Sequence, residues 1–73
     1  MLRNDVSHAK TLLEAALALD PTIAMAHKNL GIIYAEYLHD PEQAVAHYQR
    51  YLELGPDRDA AAVREYIAKA KGR

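Results

Sequence analysis

Apolar residues recur along most of this chain at intervals of three and four, the spacing of one face of an α-helix. Val6, Ala9, Leu12, Leu13, Ala16, Leu17 and Leu19 set the pattern first. They predict a helix from Asp5 to Leu19, with Asp5 as its N-cap. Asp20-Pro21 ends it, because a residue before proline avoids the helical region. Thr22 is placed to cap a second helix carrying Ile23, Ala26, His27, Leu30, Ile33, Tyr34, Tyr37 and Leu38, which stops near His39. Asp40-Pro41-Glu42-Gln43 is a strong start signal, with Asp at the cap, Pro at the first helical position and Gln where a capping box places it. Ala44, Val45, Tyr48, Tyr51, Leu52 and Leu54 form the third stripe, closed by Gly55-Pro56. Asp57 or Asp59 opens a last helix with Val63, Tyr66, Ile67 and Ala70 on one face. Its end gathers Lys69, Lys71 and Arg73, where cations suit the helix dipole. The expected fold is all-α, four helices in one domain spanning residues 1–73, and the short turns make neighbours antiparallel.

One residue inside the second helix stands against its propensity. Gly31 costs about 1 kcal/mol relative to alanine in a helix interior. A close approach by a neighbouring backbone is the expected compensation. His27, Leu30, Gly31 and Tyr34 share that stripe.

The pattern also repeats at an offset of 35 residues: Ala9 falls on Ala44, Leu13 on Tyr48, Ala16 on Tyr51, Leu17 on Leu52, Leu19 on Leu54 and Pro21 on Pro56. The last helix aligns with the second at an offset of 36, His27 on Val63, Leu30 on Tyr66 and Gly31 on Ile67. With His27-x2-Leu30-Gly31-x2-Tyr34, then Ala44-x3-Tyr48, then Pro56, the chain resembles the tetratricopeptide repeat family. The resemblance covers one full repeat over 22–56, preceded over 5–20 by the second helix of a partial repeat. A capping helix follows over 57–73. Three departures stand out. His27 replaces the tryptophan, which weakens packing there. One extra residue lies between Tyr34 and Ala44, expected in the turn from Tyr37 to Asp40. Tyr51 replaces an alanine, which predicts a wider helix pair.

The resemblance implies a non-catalytic protein–protein interaction module. By motif position Met25, Lys28, Asn29, Ile32 and Glu36 line the concave face, where Asn29 can bond a peptide backbone and Lys28 a carboxylate. The plain alternative is that they are ordinary exposed residues. The first helix has no hairpin partner of its own, so Leu2, Val6, Leu13 and Leu17 are expected to be partly uncovered. That points to self-association as a homo-oligomer, or to docking on a larger protein; the plainer reading, equally open, is a fragment of a longer repeat array whose neighbours would cover that flank.

Composition narrows the chemistry. The chain has 73 residues, no cysteine, 9 Lys plus Arg and 10 Asp plus Glu. Disulfides and thiolate metal sites are excluded, which fits a soluble chain in a reducing compartment such as the cytoplasm. No basic stripe marks a nucleic-acid partner, and no apolar run approaches the length of a membrane span. His8, His27, His39 and His47 make no i, i+4 pair and no HExxH run. No metal or other cofactor is therefore expected, with His27 a packing residue and the others solvated. Ser7-His8 are helical neighbours that point apart, and the three glycines form no phosphate loop. No catalytic residue is assigned.

Overall fold

The computed structural model describes residues 3–55 and 59–72. Among them the chain is all-α. Helix α1 spans Arg3–Leu19, α2 spans Ala24–Ile32 and continues into a π-helical turn over Ile33–Tyr37, α3 spans Pro41–Glu53 and α4 spans Ala60–Lys71. Each helix packs on the next in the chain. The register between α2 and α3 is antiparallel. Gly31 lies against the Tyr48 ring, and Lys28, one turn earlier, lies over the Tyr51 ring, one turn later.

The helix boundaries follow local chemistry, with corrections. Asp5 is not the N-cap of α1; it sits in the first turn of a helix that starts at Arg3. Carboxylates there still suit the dipole. Thr22 does not cap α2. The Asp20 carboxylate takes its amide at 3.0 Å and its hydroxyl at 2.5 Å, and Ile23 holds the cap position without a side-chain bond. At α3 the expected signal operates: Asp40 accepts from the Gln43 amide at 3.3 Å, with Pro41 in the first turn. Gly55 has φ +100° with open space where a Cβ would stand, so the backbone and not crowding requires glycine there. Asp59 holds the N-cap position of α4, yet its side chain bonds elsewhere. Leu2, Asp57 and Arg73 lie outside the described residues.

Beyond Ile32 the helix widens into the π turn, where the Leu38 amide bonds the Ile33 carbonyl at 3.0 Å, five residues back. A π turn inserts one residue without breaking the helix. His39 then takes φ 55°, the left-handed conformation that ends a helix and that non-glycine residues adopt at a cost.

The core lies between α2, α3 and α4. Ala44, Tyr48, Tyr51 and Val63 form its centre, with Ala24, Ile32, Ala35 and Ile67 packed around it. Leu30 and Val63 are fully buried, each contributing roughly 1.5–3 kcal/mol. The partner of Gly31 is a ring, not a backbone: a Cβ there would stand 2.5 Å from Tyr48 Cε1. Glycine is thus the residue that lets the edge of an aromatic ring of α3 press against α2.

On α1, Val6 is only 3% exposed, which corrects its expected place on an uncovered flank. Leu13 and Leu17 are half-buried. They are thus partly uncovered, as expected, while the largest apolar exposure on α1 falls on Leu12, at 57%, and Leu19, at 90%.

Candidate functional site

Between the C-terminal part of α2 with its π turn and the last turns of α4 lies an open cleft of about 400 Å³. Ile32 and Ala35 form one wall, Tyr66 and Ala70 the other, and Tyr48 lies between them. His39 and Pro41 close the end beside the π turn, and Glu36 and Lys69 supply its charges. Tyr48 and Tyr66 rings approach at 5.6 Å, tilted by 45°, a spacing at which aromatic pairs attract.

Tyr48 is 2% exposed, and its hydroxyl bonds nothing among the described residues. No buried side-chain nitrogen or oxygen among them is sealed off without a partner, so the hydroxyl is the part of Tyr48 that reaches solvent. Burial, then the Glu36 charge and Tyr66, pushes its phenol up to about 12. It therefore stays protonated through the neutral range, able to donate one hydrogen bond and accept another. Glu36 and Lys69 make no ion pair among the described residues.

The five residues assigned to the concave face separate. Ile32 and Glu36 line the cleft. Met25, at 54%, and Asn29 are exposed, and neither lines it. Lys28 is committed inside the fold, its ammonium 2.6 Å from Asp59, whose other oxygen accepts from the Tyr51 hydroxyl at 2.6 Å. The bond from Lys28, then that from Tyr51, holds the Asp59 carboxyl below its ordinary range. Lys28 is thus a staple joining α2 to the start of α4, not a free cation awaiting a partner's carboxylate. Tyr48, Tyr66 and Lys69 were not assigned to a site from sequence. The first two read as core positions, and Lys69 as a helix-end charge.

A second polar cluster lies where α1, α2 and α3 meet. His27 is 8% exposed. Its Nε2 is 3.0 Å from the Pro21 carbonyl and its Nδ1 is 3.1 Å from His47 Nδ1. A carbonyl only accepts, so Nε2 of His27 carries the hydrogen. The Nδ1 of neutral His27 is then bare, and His47 Nδ1 donates to it. His47 is therefore not solvated, correcting its assignment among the exposed histidines. Tyr34 stacks on its ring at 5.6 Å and 7°, and the Tyr34 hydroxyl donates to Glu14 at 3.2 Å. Lys10 pairs with Glu14 at 3.2 Å and stands 5.7 Å from the Tyr34 ring centroid. Burial, then His27, lowers the His47 pKa, against a smaller opposing pull from Glu14. The separation of 20 positions between the two histidines hid this pair from any motif.

Among the described residues no group of three His, Asp or Glu side chains converges as metal ligands would, and no helix is long and apolar enough to cross a membrane. Comparison of the chain with protein-family models, with curated proteins and with solved structures found no match.

Proposed function

We propose that this chain is a non-catalytic protein-interaction module, built like a short tetratricopeptide stack, that takes a segment of a partner protein into the cleft between α2 and α4. The cleft carries the reading. It is concave and largely apolar, with a few polar groups left free, the usual make-up of a recognition pocket. The repeat pattern supports it, because stacked helical hairpins present such a concave face to peptides. The part-buried Lys28–Asp59–Tyr51 contacts and the Gly31–Tyr48 contact hold the walls before a partner arrives, and a preformed surface loses less entropy on binding.

Selection from a displayed random-peptide library tests this reading, with elution by competition and amide chemical-shift mapping of the bound site. Selected peptides should shift Ile32, Ala35, Tyr66 and Ala70 and lose binding to an Ile32→Glu variant. Peptides that bind equally well to that variant would remove the cleft from the reading. Asn29→Ala belongs in the same series: unchanged affinity places Asn29 outside the contact.

One observation favours self-association as a second reading. Leu12 and Leu19 are the most exposed leucines of α1, seven residues and two helical turns apart on one side of it, and an apolar helix face left to solvent often marks an interface. Light-scattering mass at micromolar concentration decides it. A monomer whose mass is unchanged by Leu12→Glu and Leu19→Glu ends that reading.

A further inference from the structure

One position along the cleft differs between the two copies of the internal repeat. The register that sets His27 on Val63 and Gly31 on Ile67 sets Tyr34 on Ala70. In the first copy the ring of Tyr34 is packed, stacked on His47 and bonded to Glu14. In the second copy the position is a methyl group, and Ala70 lines the open cleft. A helical position that carries an aromatic ring in one copy is thus vacant in the other. Tyr48 lines the same cleft, a side chain only 2% exposed whose hydroxyl has no partner among the described residues. That hydroxyl reaches solvent and no protein group occupies it, so it is available to a ligand as donor or acceptor. Glu36 and Lys69 bring opposite charges to the same cleft, neither of them paired.

Resting on the peptide-binding reading above, we infer that the cleft is a pocket for a tryptophan or tyrosine side chain of a partner peptide whose neighbouring residues carry one acidic and one basic group. The ring fills the seat that Ala70 leaves empty and lies beside Tyr48 and Tyr66. Its polar edge, an indole N–H or a phenol O–H, meets the Tyr48 hydroxyl. Tryptophan and tyrosine are preferred to phenylalanine, because phenylalanine would leave that hydroxyl unpaired. The acidic neighbour faces Lys69 and the basic neighbour faces Glu36, which sets the direction of the segment.

The chain contains no tryptophan, so a peptide such as acetyl-Ala-Glu-Trp-Lys-Ala-amide reports its own burial by a blue shift of its emission. The expected result is a saturable blue shift, with the phenylalanine peptide competing at least about fivefold less well. Tyr48→Phe keeps the ring and removes the hydroxyl. It should bring the tryptophan-to-phenylalanine ratio close to one with helicity unchanged. Ala70→Tyr restores the ring of the first copy and should weaken the tryptophan peptide at least about tenfold. No saturable shift by about 5 mM peptide overturns the inference, as does a ratio that Tyr48→Phe leaves intact. If library-selected peptides occupy the cleft without any aromatic residue, this inference falls while the peptide-binding reading stands. If none occupies it, both fall.

Discussion

Replacing Gly31 by alanine sets two known effects against each other, and the structure decides the sign. Alanine should gain about 1 kcal/mol from helix propensity. Its Cβ, however, would stand 2.5, 2.7 and 3.0 Å from Cε1, Cδ1 and Cζ of Tyr48, where ordinary contact begins at 3.4 Å. The Tyr48 ring cannot simply turn aside, being 2% exposed and packed among Ala44, Tyr51 and Val63. Its easiest escape is outward, into the cleft. Overpacking of a core costs about 1–3 kcal/mol, and a ring wedged on several sides belongs in the upper half of that range. The net expectation is a loss of about 1–2 kcal/mol, or a melting temperature lower by roughly 5–15 °C for a domain of this size. Circular dichroism on Gly31→Ala, Tyr48→Leu and the double variant measures it. The double variant should be more stable than the sum of the single losses implies, by about 1 kcal/mol, because leucine has no atoms where the ring edge was. A Gly31→Ala protein that melts higher than the parent, or two substitutions that simply add, would refute the argument that the ring dictates this glycine.

Two further outcomes follow from the polar contacts. The His47 pKa is lowered in the fold, by burial first and by His27 second, so neutral His47 contributes stability that is complete above the ordinary value near 6.5. That stability is lost as pH falls from there through the folded value; urea midpoints from pH 7.5 down to about pH 5 should decline less in His47→Gln, whose amide can still donate to His27 but does not titrate. At the α2–α4 staple, Asp59→Asn keeps an acceptor for the Tyr51 hydroxyl while losing the charge opposite Lys28, and Asp59→Ala loses both. Melting temperatures should rank parent, then Asn, then Ala, with the parent alone losing part of its margin in high salt; equal values for Asn and Ala would leave the Tyr51 bond without energetic weight.

Much of this protein is written in local chemistry. The four helices follow from apolar residues three and four apart, since only a helix gathers that spacing onto one face. The start of α3 at Asp40-Pro41 and the end at Gly55 follow from groups that act within four residues of themselves. The internal repeat is legible for the same reason: a duplicated unit keeps its spacing. Gly31 announced a close contact, because nothing in a helix favours glycine for its own sake. What came near it was decided only by the tertiary structure, which brought the Tyr48 ring where a backbone was expected. The π turn over Ile33–Tyr37 was equally hidden, because it widens a single turn without breaking the helix or its stripe of apolar positions. Lys28 looked like a free cation until folding carried Asp59, 31 residues away, to within 2.6 Å of it. His27 and His47 became a pair in the same way, 20 residues apart along the chain and 3.1 Å apart in space. Periodicity fixes which face of a helix turns inward. Which side chain it meets there depends on how far each helix slides along its neighbour, a quantity that no single segment contains.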